Sequence, residues 1–255
     1  YDPEQEVLVT VGGSEAIDIA MRAMLNEGDE VLVPQPSYVS YVPCVALADG
    51  VPVVIELEEK DEFKLTPKKL LEKITERTKL LVLPFPNNPT GAIMEKERLE
   101  EIAKIVIEKD LFVISDEIYS ELTYKDQHAT IAAIPGMKER TVLINGFSKS
   151  YSMTGWRLGY AAAPKVILEQ MLKIHQYAIM CAPTTSQYAA VSALKNGDWA
   201  VAMMRESYHQ RRRFLLNSFH VMVVDCFEPM GAFSTFPNIT RFGIPSEDFA
   251  TELLQ

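Results

Sequence analysis

The stretch Val7-Leu8-Val9-Thr10-Val11-Gly12-Gly13-Ser14-Glu15-Ala16 sets the architecture of the chain, because an apolar run passes through two glycines directly into a helical pattern. Residues 7–11 predict a buried strand, and residues 14–25 predict a helix that begins at Ser14. The same alternation continues along the chain. Further strands are predicted at 31–33, 51–57, 80–83, 112–115 and 142–144, and further helices at 95–109, 166–179 and 185–195.

The predicted strands are nearly continuous apolar runs rather than alternating ones. Such strands are buried on both faces, and their alternation with helices indicates an α/β fold with a mostly parallel central sheet covered on both sides. We expect this large domain to span residues 1–216. The apolar runs at 221–224, 231–233 and 236–237 then predict the first strands of a small α+β domain, which residues 217–255 would begin but not complete.

The composition argues against several classes of protein. The chain has 255 residues, of which 47% are hydrophobic and 24% charged, with a formal net charge of −10. An acidic chain is a poor candidate to bind nucleic acid or an anionic membrane, and no apolar run is long enough to span a bilayer. With no signal-peptide pattern at its start, we expect a cytoplasmic protein. Neither a disulfide framework nor a metal site is predicted from its scattered cysteines and histidines.

Polar motifs follow four of the predicted strands, which is where ligands of parallel sheets bind. Gly12-Gly13-Ser14 follows the first strand, and free backbone N–H groups at the start of a helix attract phosphate. Taken alone, this motif is better explained as a plain strand-to-helix turn with Ser14 as the N-cap.

The second and third motifs pair a rigid turn with hydrogen-bonding side chains. Pro86-Asn87-Asn88-Pro89-Thr90-Gly91 offers the Asn88 amide to an oxygen on a ring, although a simple Asn/Pro/Gly turn explains it about equally well. Ser115-Asp116-Glu117-Ile118-Tyr119 combines a carboxylate at a strand end with a phenol three residues later, which suits a heteroaromatic ligand. The alternative for Asp116 is a helix N-cap beside a half-buried tyrosine.

The fourth motif is Gly146-Phe147-Ser148-Lys149-Ser150-Tyr151-Ser152-Met153-Thr154-Gly155-Trp156-Arg157-Leu158-Gly159-Tyr160. A lone lysine is nearly always a solvated surface residue. Lys149, however, follows a buried strand within a loop rich in serine and glycine, and Arg157 follows it between two glycines. This setting favours a functional amine over a surface one.

Together the motifs resemble the class I/II aminotransferases of pyridoxal 5'-phosphate (PLP) fold type I. Asn-Asn-Pro-Thr-Gly, Ser-Asp-Glu-Ile-Tyr and Ser-Lys-Ser…Thr-Gly-Trp-Arg-Leu-Gly occur in the order and at the spacing of that family, across essentially the whole chain. The similarity is greatest to a bacterial subgroup that includes PatA-like, aromatic and aspartate aminotransferases. It implies PLP as the cofactor and the PLP-dependent transferase fold.

The resemblance also implies a role for each matched residue. Lys149 would form an imine (Schiff base) with the PLP aldehyde and later move the proton between the substrate Cα and the cofactor. Asp116 would face the pyridine nitrogen and keep it protonated, so that the ring accepts electrons. Tyr119 and Asn88 would donate to the ring oxygen, which lowers the pKa of the imine.

The remaining implied contacts hold the phosphate and the ring face. Arg157 would clamp the phosphate as a planar bidentate donor. Tyr38, in Pro36-Ser37-Tyr38, would stack on the ring, with a core aromatic as the alternative. The other implied phosphate contacts are the N–H groups around Gly13, Ser14 and Glu15, and the hydroxyl of Ser148.

The activity implied is transfer of an amino group from an L-amino acid to a 2-oxo acid by a homodimer. A C–S β-lyase on the same scaffold and a truncated, non-catalytic PLP-binding fragment remain alternatives. We expect the chain to start after an N-terminal segment of the family and to stop before the arginine that binds the substrate α-carboxylate. Arg241 precedes the expected position and is not assigned that role.

Overall fold

The computed structural model describes residues 1–125 and 127–255. Six of its strands lie where apolar runs predict them, with ends that shift by at most two residues, and one further short strand is present. The strands are β1 (Val7–Thr10), β2 (Glu30–Gln35), β3 (Val51–Glu56), β4 (Thr78–Leu83), β5 (Phe112–Asp116), β6 (Thr141–Gly146) and β7 (Gly159–Ala162). The helices are α1 (Gly12–Met24), α2 (Tyr41–Leu47), α3 (Pro67–Lys73), α4 (Lys96–Glu108), α5 (Phe147–Ser150), α6 (Lys165–Ala178), α7 (Thr184–Asn196), α8 (Asp198–Val221) and α9 (Ser246–Glu252).

The strands form one seven-stranded sheet in the order β1-β7-β6-β5-β4-β2-β3. Neighbours from β6 through to β3 are parallel, whereas β7 runs antiparallel to both β1 and β6. The predicted α/β fold with a mostly parallel sheet is therefore confirmed. β7 was not predicted, because its sequence Gly-Tyr-Ala-Ala is short and low in the β-branched residues that favour strands.

Successive residues of the central strands point into two different cores, which explains why the strands are apolar throughout. Val31 and Val33 pack with α1 and α6 on one face of the sheet. Leu32, between them, packs with α3 and α4 on the other face. Burial on both faces fixes the strand register, since a slip of one residue would exchange the two sets of side chains.

The strands predicted at 221–224, 231–233 and 236–237 are wrong. In the last two segments, only Gly231 and Pro237 form isolated bridges, and among the described residues no ladder continues from them to make a strand. α8 continues to Val221, and residues 222 and 223 form a turn, with Val221 and Val223 81% and 67% exposed. No glycine or proline interrupts residues 198–221, so nothing in the sequence ends the helix earlier. α8 also passes through the boundary predicted between residues 216 and 217, and the division into two domains stays a prediction.

The direction of the strands brings the polar motifs to one edge of the sheet. Because β7 is antiparallel to both neighbours, β1 runs in the same direction as β6. The carboxyl ends of β1, β2, β4, β5 and β6 therefore share an edge, although the motifs that follow them are far apart in sequence. Among the described residues, no helix combines the length and the apolar character required to cross a membrane.

Candidate active site

A cavity of about 240 Å³ opens at this shared edge. Nine of the ten predicted site residues line it, and Glu15 does not. The nine are Gly13, Ser14, Tyr38, Asn88, Asp116, Tyr119, Ser148, Lys149 and Arg157, and six further residues, Ile17, Tyr41, Pro84, Pro86, Ile118 and Thr154, complete the lining. Their assignment to a cofactor stays a prediction, but residues that are widely separated in sequence line one cavity.

Asp116 is the last residue of β5 and only 6% of it is exposed. Its Oδ2 accepts a 2.7 Å hydrogen bond from the Tyr41 hydroxyl, and its Oδ1 accepts one of 3.1 Å from the Ile118 N–H. Burial raises the pKa of Asp116, while these two hydrogen bonds act to lower that pKa. No cation of the described residues pairs with the carboxylate, so it is poised to take a cationic group from a ligand.

Tyr41 is a polar site residue that was not predicted from the sequence. It begins α2 and is 2% exposed, whereas Tyr38 is 38% exposed and meets the Tyr41 ring edge-on at 5.8 Å between centroids. A buried phenol requires a hydrogen-bond partner. The repeat of tyrosine after three residues is the only local signal, and nothing in the sequence ties it to Asp116.

Arg157 and the start of α1 bring a positive charge and backbone N–H groups to the cavity lining. A Cβ added at Gly12, where φ is +77°, would lie 2.6 Å from Nη2 of Arg157, so only glycine lets the guanidinium lie against the start of α1. A Cβ at Gly159 would lie 2.7 Å from the backbone N of Gly13. Arg157 donates to the Thr154 carbonyl at 3.0 Å, and no carboxylate among the residues described here pairs with it. The first turn of a helix beside a guanidinium suits an anion.

Glu15 has a different environment from the one predicted for its neighbours. Its carboxylate accepts a hydrogen bond from the Val11 N–H and contacts Nδ1 of His175 at 2.7 Å. The side chain is therefore committed outside the cavity, and only the backbone N–H of Glu15 remains for an anion. Ser148, in contrast, is buried in the lining, and its carbonyl accepts a hydrogen bond of 2.7 Å from the Thr154 hydroxyl.

The two adjacent asparagines, Asn87 and Asn88, have different environments. Asn87 is fully buried, and its side-chain oxygen accepts hydrogen bonds from the Thr90 N–H at 3.2 Å and the Thr90 hydroxyl at 2.9 Å. Asn87 thereby fixes the turn. Asn88 is half-buried and lines the cavity, where its amide is available to a ligand.

Lys149 lies in the short helix α5, directly after β6. Its Nζ is 5.4 Å from the ring centroid of Phe233, and that ring in turn lies 5.3 Å from the ring of Tyr119. Burial raises the pKa of Tyr119 to about 12, and the charge of Asp116 adds to the effect, so Tyr119 stays a hydrogen-bond donor. Phe233 was not predicted, because no local pattern connects it to a lysine far upstream.

No group of histidine, cysteine, aspartate and glutamate side chains suited to a metal ion was found in the described part of the chain. The cavity instead offers an amine, a buried carboxylate, three phenols and a guanidinium beside the start of α1 that suits an anion. These are groups for an organic ligand that carries a phosphate or another anion, a ring and an electrophilic carbon.

Comparison with known proteins gives one consistent result. The model of the family "Aminotransferase class I and II" matches residues 1–255. The putative aminotransferase YugH of Bacillus subtilis is 49% identical over 100% of this chain and 66% of its own length, and an aspartate aminotransferase of Pyrococcus abyssi is 44% identical over 99% and 66%. The crystal structure of an aromatic aminotransferase from Pyrococcus horikoshii superimposes with a TM-score of 0.97 at 44% identity, over 100% of this chain and 69% of that one. The chain spans 64–66% of the length of the first curated relatives it matches.

We predict that Tyr41→Phe destabilises the ligand-free protein in a pH-dependent way. A hydrogen bond to a charged group contributes about 1.5–3 kcal/mol. The pKa of Asp116 is raised in the folded state, so the folded state holds the Asp116 proton more tightly than the unfolded state does. Asp116 therefore adds to the free energy of unfolding at low pH, and this contribution is lost as the pH rises through the folded-state pKa. Loss of the Tyr41 hydroxyl raises that pKa further, so the free energies of unfolding of the wild type and the variant should diverge as the pH increases.

Urea unfolding at several pH values measures this divergence. Tyr38→Phe is the matched control, because no hydrogen bond to the Tyr38 hydroxyl occurs within the described residues. A constant difference between Tyr41→Phe and the wild type at all pH values would show that Tyr41 does not stabilise the ionised carboxylate.

Proposed function

Because the chain belongs to the class I and II aminotransferases, a PLP-dependent family, we propose that the whole protein transfers an amino group from an L-amino acid to a 2-oxo acid. One observation carries the proposal. One cavity is lined by the Lys149 amine, the buried Asp116 carboxylate and the Arg157 guanidinium. Arg157 has no carboxylate partner in the described part of the chain. Each of these groups suits a different part of PLP.

The groups that line the cavity suit the phosphate, the ring nitrogen and the ring face of PLP. The close approach at Gly12 and Gly159 leaves a cradle of N–H groups beside Arg157, where the phosphate would lie. Ser148 would add its hydroxyl to the phosphate contacts, together with the N–H groups of Gly13, Ser14 and Glu15. No cation among the described residues pairs with the buried carboxylate of Asp116, and a protonated pyridine nitrogen would supply one. Tyr38, partly exposed in the cavity wall, would cover the ring face.

The residues around the ring would tune its chemistry. When bound, PLP supplies an electron sink for the charge that develops at the substrate Cα. Asp116 would hold the proton on the ring nitrogen, and Tyr41 and the Ile118 N–H would hold Asp116 in place. Tyr119 and Asn88 would donate hydrogen bonds to the ring oxygen.

Lys149 would carry the proton of the reaction. Its amine would bind the cofactor covalently at rest, and once displaced by the substrate it would take the proton from the substrate Cα and deliver it to the cofactor carbon C4′. The cavity suits this work, because no hydrogen bond or ion pair among the described residues engages the Lys149 amine. Neither β-elimination nor a purely binding role has an observation in its favour, since the relatives carry aminotransferase names.

We also propose that the protein works as a homodimer in the cytoplasm. Large apolar side chains are exposed from the end of α6 to the start of α8, among them Tyr177 at 93%, Met180 at 80% and Tyr188 at 76%. A surface of this kind marks an interaction site, and a second copy of the chain would cover it. The three cysteines are free, which suits a reducing compartment.

The first test separates transamination from its alternatives. Incubation with single amino acids should convert the cofactor to pyridoxamine phosphate, seen as loss of the visible absorption band and release of the matching 2-oxo acid. Added 2-oxo acid should restore the band. Release of pyruvate and ammonia from cysteine-like substrates would instead identify a β-lyase, and no spectral change with any amino acid would identify a binding protein.

The second test concerns Lys149. Borohydride should fix the cofactor to Lys149 in the wild type, and Lys149→Ala should lose this adduct and lower kcat by about 10²–10⁴-fold or more, because the proton carrier is gone. Peptide mapping by mass spectrometry locates the adduct. Lys104→Ala, at an exposed position of α4, serves as the control and should behave like the wild type. An adduct on any other lysine would refute the assignment.

The third test concerns the dimer. Light scattering should give twice the mass of one chain, and Met180→Asp should shift the equilibrium towards the monomer by placing a charge in an apolar interface. Leu71→Asp, on α3 at the opposite face of the sheet, should leave the mass unchanged. A monomeric wild type, or a Met180→Asp variant that dimerises as well as the wild type, would contradict this interface.

A further inference from the structure

Residues 228–233 connect two loops of the candidate site that the sequence places far apart. Met230 N–H and Gly231 N–H donate to the Gly91 carbonyl at 3.0 and 2.9 Å, which ties the segment to the Asn88 loop. On its other side, Tyr124 N–H donates to the Met230 carbonyl at 2.9 Å, which ties it to the loop that follows Tyr119. The segment thus lies between the two loops that would donate to the cofactor ring oxygen.

The fit of this segment against the cavity wall is close and rigid. A Cβ at Gly231 would lie 2.5 Å from Cβ of Pro86 and 2.9 Å from Cγ2 of Ile93. Pro86 itself lines the cavity. Neither neighbour is the end of a flexible side chain, so movement of the segment would be transmitted to the wall rather than absorbed.

Arg212 fastens this segment to α8. Its Nη1 donates to the Pro229 carbonyl and to Oε1 of Glu228, both at 3.0 Å, and its guanidinium lies 5.5 Å from the ring centroid of Tyr124. The Arg212 side chain is only 10% exposed. One planar cation therefore holds the segment and the loop after Tyr119 together, which a lysine could do only in part.

The segment ends at Phe233, whose ring lies against Lys149 and Tyr119. We propose that Arg212 is a positioning residue for the cofactor site: it acts through residues 228–233 to hold Phe233 against Lys149 and to hold the loops of Asn88 and Tyr119 at the ring oxygen. The inference rests on the proposed function for its chemistry. Its mechanical part, the clamp on the two loops, is a property of the chain alone.

Hydrogen exchange on the cofactor-free protein tests the clamp. In Arg212→Met, exchange in peptides covering 86–93, 119–125 and 228–233 should rise about tenfold or more, because these segments open locally without their anchor. Arg213→Met is the matched control on the next residue of α8, since the described residues make no hydrogen bond to the Arg213 side chain. Equal exchange in Arg212→Met and the wild type overturns the proposal.

The spectrum of the cofactor-loaded enzyme tests the positioning. With the donors Asn88 and Tyr119 displaced, the pH midpoint of the visible band should rise in Arg212→Met and stay unchanged in Arg213→Met. Arg212→Lys, which retains the charge, should give intermediate hydrogen exchange and an intermediate pH midpoint. If Arg212→Met does not fold, Arg212→Lys is compared with the wild type instead. Guanidinium at a non-denaturing concentration should restore part of the shift in Arg212→Ala, and urea should not.

The outcomes separate this inference from the proposed function. A wild type that binds PLP and transaminates, with an unchanged midpoint in Arg212→Met, would leave the function standing and refute the positioning role. A wild type that binds no PLP would refute the function, and the exchange experiment would still decide whether Arg212 clamps the two loops.

Discussion

Asp116 is held at the end of β5 with its carboxylate almost completely removed from water, and the rest of the site depends on this burial. A buried carboxylate is costly unless hydrogen bonds or a cation compensate for its lost hydration. Tyr41 and the Ile118 N–H supply the hydrogen bonds. A ligand would supply the cation. Under the proposed function, Asp116 would therefore both strengthen cofactor binding and keep the pyridine nitrogen protonated.

The cavity lining combines two groups that complement each other. Among residues 1–125 and 127–255, the Asp116 carboxylate has no cation, and the Arg157 guanidinium beside the helix N–H groups has no carboxylate. A molecule that carries both a cationic ring and an anionic tail would satisfy both groups. The sheet makes this arrangement possible, since five strands deliver their following loops to one edge.

Much of the fold and most of the site could be predicted from the sequence, because both depend on local patterns. Apolar runs located six strands. The motifs after strands, through the family that they resemble, predicted ten site residues, and nine of these line the cavity. The contacts that were missed are those made across the fold. Tyr41 meets Asp116, and Phe233 meets Lys149, only after packing is complete. β7 and the full length of α8 were missed because weak strand formers and a short valine-rich run gave misleading local signals.

The antiparallel position of β7 also governs the order in which the sheet can assemble. Within the described residues, β1 pairs with β7 alone, and Val7 lies opposite Ala162. On a ribosome that adds about 5–20 residues per second, β1 therefore waits on the order of ten seconds for its neighbour. During that interval its edge is open to other chains, as for any unpaired strand. Co-translational assembly of this sheet is thus completed late, when β7 pairs with β1.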